Sequence, residues 1–222
     1  MSATVAQSPE VREIRKTIDY NVKHPLQNTW TLWFDSPKKG NAQSWADNLK
    51  EIIDIDTAED FWSTLNNVAK VNHAPLNSNY HLFKQNVRPE WEDEANANGG
   101  KFSIQFPKNK TGDVINEYWT YLLLAVIGEQ LATEEEICGA VVSVRKSYYR
   151  IALWVKTCDD EQKIEEISKQ LRATLKLSED ISIDFTPHDK PVSKVAATDA
   201  TDEASTNEAA PSAEADPAKT AA

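Results

Sequence analysis

Apolar residues recur at every second position along residues 29–34. This period of two is typical of a β-strand that buries one face. Residues 139–145 and 150–156 also have strand-like composition, and the short connection between them predicts a hairpin. The remaining predicted strands are 80–83, 101–106 and 181–185.

Three other stretches carry apolar residues at the spacing of an amphipathic helix. The first opens at residues 57–60, which resemble a capping box. The second is predicted over 113–128 with Gly128 as its C-terminal stop, and the third is capped by Asp159 or Asp160. The residues predicted to share one face of the second helix are Val114, Tyr118, Leu122 and Ala125.

Short strands punctuated by helices favour an α+β fold, in which a largely antiparallel sheet carries helices on one face. The folded domain is predicted to cover 24–192, after a flexible N-terminal arm over 1–23. The stretch 193–222 is rich in Ala, Thr, Ser, Pro and acidic residues and has no aromatic residue, Leu or Ile. Such a segment buries too little apolar surface to offset its ordering entropy, so it is predicted to be a disordered acidic tail.

The formal net charge is −11, which argues against binding long nucleic acid by bulk electrostatics. An anionic ligand would therefore need a local basic patch. No apolar run reaches membrane-spanning length, and the N-terminus lacks the pattern of a secretory signal. Cys138 and Cys158 are accordingly predicted to be reduced, buried thiols of a cytosolic or nuclear protein.

The stretch most suggestive of binding is 87–94, where Trp91 lies beside Glu92 and two further acids. An indole face and a nearby carboxylate suit a planar cation, through cation–π stacking and charge-assisted hydrogen bonds. A half-buried loop tryptophan among solvated acids is the alternative, and this stretch alone favours it. The chain has seven tryptophans, however, which is more than one core needs.

Motifs for catalysis are absent from the sequence. It has no Gly-rich phosphate loop, no nucleophile-elbow serine and no Cys-x-x-Cys pair. Its four histidines lack the spacing of metal ligands. We therefore predict no catalytic residue, no metal site and no cofactor.

Nine short motifs follow one another along residues 24–185: 24–30 (HPLQNTW), 33–34 (WF), 44–45 (SW), 60–62 (DFW), 91–94 (WEDE), 99–100 (GG), 127–129 (IGE), 138–142 (CGAVV) and 152–154 (ALW). In their order and spacing they resemble the eukaryotic translation initiation factor 4E family, the messenger-RNA cap-binding proteins. The resemblance implies a curved antiparallel sheet with about three helices on its convex face, like a cupped hand.

The resemblance implies a site for the cap base. Trp45 and Trp91 match the two indoles that sandwich 7-methylguanine in the family. Glu92 matches the carboxylate that accepts hydrogen bonds from N1 and N2 of the base, and Trp154 the tryptophan beside the methyl group. N7-methylation makes guanine a delocalised cation, so stacking between indoles gains cation–π energy of about 0.5–2 kcal/mol per face.

The same resemblance implies a site for the cap phosphates. Arg145 and Arg150 match the phosphate-contacting pair, with arginine at 150 where many members have lysine. The forked donors of arginine suit phosphate as well. Lys101 matches a basic residue that reaches the phosphates through water. The link 146–149 is more aromatic than is usual in the family.

A second surface is implied on the helical side, where family members bind a partner helix with the motif Tyr-x-x-x-x-Leu-apolar. The implied partners are the initiation factor 4G scaffold and the 4E-binding repressor proteins. For Trp62 the alternative is a place in the core. The matching residues are His24, Pro25, Trp62, Leu124 and Gly128.

The expected function is therefore binding of the 7-methylguanosine cap and recruitment of the scaffold to start cap-dependent translation. The expected protein is cytoplasmic, with the nucleus as a second compartment, has no membrane contact and is a monomer outside the initiation complex. Two alternatives stay open: a cap-binding repressor or paralogue that does not engage the scaffold, and a cap-processing enzyme such as a hydrolase.

Overall fold

Seven strands form one sheet in the computed structural model, which describes residues 22–36, 48–131 and 135–188. The strands are β1 (Pro25–Asp35), β2 (Lys50–Thr57), β3 (Asn79–Lys84), β4 (Gly100–Pro107), β5 (Ile137–Val144), β6 (Tyr148–Val155) and β7 (Asp184–Pro187). The helices are α1 (Ala58–Asn67), α2 (Ile115–Ile127) and α3 (Glu161–Thr174), with a single helical turn at Lys108–Thr111 and 3-10 turns at Val71–His73 and Gly112–Val114.

The strand order is β2-β1-β3-β5-β6-β4-β7, and all the described pairs are antiparallel. The sheet is open and curved, so the predicted α+β class is confirmed. Alternate residues of β4 and β6 separate into two faces, as the two-residue period of a strand requires. Phe102, Ile104 and Ile151 are buried in the main core with apolar residues of α2 and α3. The opposite face carries Lys101 and Arg150, which are only half-buried.

A smaller apolar cluster lies on the opposite face and consists of Phe83, Cys138, Val141 and Ala152. Trp154 packs against it. Burial raises the pKa of the Cys138 thiol to about 12, so this thiol stays protonated. Cys158 is only half-buried, so the predicted burial of both thiols is wrong for this one.

Helix α1 begins as its sequence predicts. The hydroxyl of Thr57 accepts a hydrogen bond from the backbone N–H of Asp60 at 3.2 Å, which satisfies one of the unpaired donors of the first turn. The third helix likewise has Asp160 as its N-cap, where the carboxylate accepts from the Lys163 N–H at 3.1 Å.

The predicted face of α2 is confirmed at Leu122 and Ala125, which are buried, and at Tyr118, which packs against the core; it is wrong at Val114. Val114 belongs to the 3-10 turn that precedes the helix and is 43% exposed. The residues that α2 buries include Ile115, Trp119, Leu122 and Val126. Helix α2 is apolar almost all round, so its pattern of residues does not single out one face.

Two strands also differ from the prediction. Strand β2 was not predicted; it is an edge strand in which Ile52 and Ile53 are exposed and only Ile55 and Thr57 are buried. Strand β7 begins at Asp184, three residues after the predicted start. The predicted N-terminal arm, except for residues 22 and 23, and the predicted tail lie outside the described residues, so the domain boundaries stay predictions.

None of the helices in the described segments combines the length and apolar composition that a bilayer crossing requires. Over the same three segments, no group of three or more His, Cys, Asp or Glu side chains is placed to hold a metal ion.

Candidate functional site

The face of the sheet that carries Lys101 and Arg150, opposite the helices, is called the open face here. It brings an aromatic and a basic side chain together. Trp154 on β6 pairs with Lys101 on β4, and the Lys101 Nζ lies 6.0 Å from the centroid of the indole. Arg150 is four residues earlier on the same face of β6, about 13 Å along the strand. This face therefore offers an apolar end at Trp154 and a positive end at Arg150.

The indole of Trp154 is held from two sides. The Phe83 ring meets it edge-on with centroids 5.4 Å apart, and the His188 ring lies 4.2 Å from it. Gly139 is the β5 partner of Trp154, and a Cβ at Gly139 would come within 2.5 Å of the Phe83 ring. Glycine at this position therefore leaves room for the ring that supports the indole.

The loop between β3 and β4 presents an exposed indole on a braced backbone. Trp91 is 55% exposed, and Glu92 beside it is exposed as well. Below them, the buried Asn96 donates through Nδ2 to the carbonyls of Arg88 and Glu90, both at 2.8 Å. The exposure of Trp91 goes against the alternative of a half-buried loop tryptophan. Because the loop is braced, little backbone order remains to be gained on binding.

The same loop is anchored beside Trp154. The Asp93 carboxylate accepts from the backbone N–H groups of Arg88 and Ala95, both at 3.0 Å. The Cys138 thiol donates to the Ala95 carbonyl at 3.4 Å, next to Gly139. The sequence alone did not indicate these supporting roles for Asn96 and Cys138; an Asn or Asp near a turn is the only local signal.

Arg145 lies just after β5, and its Nη1 donates to the Asn79 side chain at 3.1 Å. The aromatic link is short, because its residue Tyr148 already belongs to β6, and the Arg145 N–H donates to the Tyr148 carbonyl at 3.0 Å. Arg145 therefore follows the last residue of β5, and Arg150 lies near the start of the adjoining β6. Trp45, the other indole implied by the resemblance, lies in 37–47, outside the described residues.

Burial and, to a smaller extent, the positive charge of Lys101 together lower the pKa of His188 to about 4. The folded pKa is below the unfolded value of about 6.5, so the unfolded chain takes up a proton first as the pH falls. The contribution of neutral His188 is complete above pH 6.5 and is lost towards pH 4.

We expect the free energy of unfolding to fall by about 1 kcal/mol between pH 7 and pH 5 through His188 alone, allowing for solvent screening. The comparison is denaturant unfolding of the wild type and His188→Phe at both pH values. Phe keeps an aromatic ring on Trp154 and does not titrate. An identical pH dependence in the two proteins would contradict the assignment.

The residues implied for partner binding lie on and beside the helical side. The His24 carbonyl accepts from the first N–H of α1, that of Ala58, at 2.9 Å, and Pro25 pairs with Thr57. Both His24 and Pro25 are exposed. Trp62 projects from α1 and is 46% exposed, which goes against its alternative place in the core.

The end of α2 carries the other two residues of this set. Leu124 is half-buried, and the exposed Gly128 caps the helix by donating to the Leu124 carbonyl at 3.0 Å. A Cβ at Gly128 would lie 2.8 Å from that carbonyl oxygen, so a larger residue would disturb the helix end. Asn28 of β1 bonds to Glu129 and so ties the strand to this end of α2.

A cavity of about 350 Å³ opens between α1, α2 and the sheet. Trp62 and Leu65 of α1 line it together with Trp119, Thr120 and Tyr121 of α2. The sequence did not predict this cavity, because it depends on how the two helices pack on the sheet. It places Trp62 and the middle of α2 around one apolar recess.

Comparison with known proteins gives consistent matches. A model of the eukaryotic initiation factor 4E family matches residues 25–203. The protein of Candida albicans named eukaryotic translation initiation factor 4E is 41% identical over 197 residues, which cover 85% of this chain and 94% of that protein. Its namesake in Saccharomyces cerevisiae is 42% identical over 170 residues, 76% of this chain and 78% of that protein.

Two solved structures are similar as well. The crystal structure of Ascaris suum eIF4E-3 with an m2,2,7G cap matches with a TM-score of 0.73 and 36% identity, over 79% of this chain and 96% of that one. The complex of C. elegans eIF4E-3 with the 4E-binding protein Mextli and a cap analog matches with a TM-score of 0.69 and 33% identity, over 75% of this chain and 94% of that one.

Proposed function

Because the chain belongs to the eukaryotic initiation factor 4E family, we propose that it binds the 7-methylguanosine cap of messenger RNA and recruits initiation factor 4G to start translation. The similar Ascaris suum and C. elegans proteins were solved with cap ligands, and the latter also with a 4E-binding protein. We further propose that it acts in the cytoplasm as a monomer outside the initiation complex and performs no catalytic step.

The observation that carries the proposal is the exposed Trp91 and Glu92 on a braced loop beside Trp154. We propose that Trp91 and Trp45 stack on the two faces of the methylated base. Glu92 accepts the N1 and N2 hydrogens, and Trp154 contacts the methyl group. The cationic ring gains from both the indole quadrupoles and the carboxylate charge.

The phosphates of the cap are proposed to bind Arg150, Arg145 and, through water, Lys101. The chain has a net charge of −11, so attraction for a triphosphate has to come from these local cations. Arg150 and Arg145 lie at the basic end of the open sheet face, and Lys101 lies beside Trp154, where the base site is proposed. The polarity of this face thus matches the polarity of the cap.

Titration of the intrinsic tryptophan fluorescence with 7-methylguanosine triphosphate and with guanosine triphosphate tests this function. We expect quenching with both ligands and clearly tighter binding of the methylated one, because only methylation makes the base cationic. Equal affinities, or no quenching by either ligand, would overturn the proposal.

Glu92→Gln should reduce the preference for the methylated base. The amide still accepts one hydrogen bond, but it turns a donor towards one of the two base hydrogens and loses attraction to the cationic ring. Calorimetry with the methylated and unmethylated triphosphates measures the ratio of the two affinities. An unchanged ratio would show that Glu92 does not respond to the charge of the base.

Arg150→Ala should weaken binding of the triphosphate cap about tenfold or more and leave the uncharged 7-methylguanosine nucleoside nearly unaffected. The slope of affinity against salt concentration should also flatten, because one phosphate contact is lost. Equal losses for triphosphate and nucleoside would show that this arginine supports the hairpin and does not bind phosphate.

The partner surface is proposed to comprise His24, Pro25, Trp62, Leu124 and Gly128. The exposure of Trp62 beside an apolar recess supports it, because helix-in-groove binding commonly uses an aromatic anchor next to a pocket. The 4E-binding repressor proteins are proposed to use the same surface. A cap-binding repressor that does not engage the scaffold would bind cap but no scaffold peptide.

A further inference from the structure

Four polar side chains form a chain of contacts across β1, β3 and the end of β5. Asp35 and Asn79 are direct neighbours in the pairing of β1 with β3, and the Asn79 Nδ2 donates to both oxygens of Asp35 at 3.0 Å. His81 Nε2 lies 2.6 Å from Asp35 Oδ1. At the other end, Arg145 Nη1 donates to Asn79 Oδ1 at 3.1 Å.

This chain of contacts is buried at His81 and Asp35 and ends at the more accessible Arg145. The side chains of His81 and Asp35 are only 6% and 5% exposed, and Asn79 and Ser78 are also buried. Arg145 is half-buried. The contacts therefore run from buried side chains on the open face to Arg145, a cation that we have proposed for the phosphate site.

The chemistry of the two ends leaves the Asn79 amide one orientation. A carboxylate only accepts hydrogen bonds and a guanidinium only donates them. The NH₂ group of Asn79 must therefore face Asp35, and its oxygen must face Arg145. The Asp35 carboxylate thus fixes the orientation of the Asn79 amide, and the amide oxygen accepts a hydrogen bond from Arg145.

An amide is well suited to hold an arginine that has to bind a phosphate. A carboxylate in direct contact with Arg145 would neutralise its charge and compete with the ligand. The neutral oxygen of Asn79 orients one nitrogen, Nη1, and adds no negative charge of its own. The same nitrogen also approaches the carbonyls of Val144 at 3.3 Å and Ser78 at 3.5 Å. The guanidinium is therefore oriented before any ligand arrives, which lowers the ordering entropy lost on binding.

We propose that Asp35, acting through Asn79, positions Arg145 for the triphosphate of the cap, and that His81 holds Asp35 in place. Asp35 and Asn79 are positioning residues, since neither contacts the ligand. This inference rests on the proposed cap-binding function and extends it to residues that have no part in the base site.

The test compares two ligands, 7-methylguanosine triphosphate and the uncharged nucleoside 7-methylguanosine, by calorimetry on the full chain. Asn79→Ala should weaken the triphosphate about tenfold, in line with the loss of a hydrogen bond to a charged group, and the nucleoside less than about twofold. Asp35→Asn is the milder variant. It should weaken the triphosphate by a smaller factor, again with little effect on the nucleoside. If Asn79→Ala does not fold, Asp35→Asn alone tests the inference.

Thr31→Val is the matched control. Thr31 is buried on the same sheet face and donates to Asp54 at 2.6 Å, and it has no place in the Arg145 contacts. It should lower the melting temperature without changing the ratio of the two affinities. A general loosening of the sheet would instead lower both affinities together in all of these variants.

The decisive experiment is to introduce Asn79→Ala into a protein that already carries Arg145→Ala. If Asn79 acts through Arg145, then Asn79→Ala has no further effect on triphosphate affinity once Arg145 is gone. Additive losses would overturn the inference, and so would a ratio unchanged by both Asn79→Ala and Asp35→Asn. If the wild type itself binds neither ligand, the proposed function fails; if the wild type binds and only the coupling is absent, this inference alone fails.

Discussion

Trp91→Ala should lower the affinity for 7-methylguanosine triphosphate by about 10- to 100-fold, in line with the loss of one stacking face and its cation–π contribution. The melting temperature should stay close to that of the wild type. The indole is 55% exposed, and the loop beneath it is held by the side chains of Asn96 and Asp93. Its removal therefore takes away binding surface and leaves the support of the loop intact.

Calorimetry is the measurement of choice, because the substitution removes a fluorophore that would report the binding. Val114→Ala is a suitable control, since Val114 is an apolar residue in the 3-10 turn that precedes α2 and is similarly exposed, at 43%. Trp91→Phe should fall between alanine and the wild type, because the smaller ring keeps part of the stacking face. Cap binding by folded Trp91→Ala at wild-type strength would remove Trp91 from the site, and the same criterion applies to Trp45→Ala.

The elements that the sequence predicted well are those with a strong local signal. Thr57 caps α1 as predicted, and Asp160 is one of the two caps predicted for α3, because each cap is formed by residues close together in the chain. The edge strand β2 has only a short signal of this kind, the alternation over residues 53–56, and it was missed. The face of α2 was predicted only in part, at Tyr118, Leu122 and Ala125, because the packing of neighbouring elements decides which side of an apolar helix is buried.

In the candidate site, the sequence indicated the residues proposed to contact the ligand but not the residues that support them. The residues proposed to touch the cap are individually conspicuous or resemble those of a known family, so the sequence indicated them. Their supports are not local: Asn79 and Asp35 are 44 positions apart, and Cys138 and Ala95 are 43 apart. Such contacts depend on the register between strands. No pattern within one segment predicts that a buried carboxylate orients an amide beneath Arg145.

Trp62→Ala should separate the two proposed functions. We expect the affinity for a 4G-derived peptide with the motif Tyr-x-x-x-x-Leu-apolar to fall by about tenfold or more, because exposed tryptophans are frequent anchors of interfaces. Cap affinity should be unchanged, since Trp62 lies on the helical side and the residues proposed to bind the cap belong to the opposite side of the sheet. Melting temperature, cap affinity and peptide affinity should be measured on one preparation.

The contrast with Trp119→Ala makes the test specific. Both tryptophans line the 350 Å³ cavity, but Trp119 is 5% exposed and belongs to the core, whereas Trp62 is 46% exposed. Truncating Trp119 should cost about 3–5 kcal/mol of stability and weaken both activities together. Truncating Trp62 widens a recess that is already open, so the fold loses little. If Trp62→Ala instead behaves like Trp119→Ala in all three measurements, Trp62 is a core residue and does not belong to the partner surface.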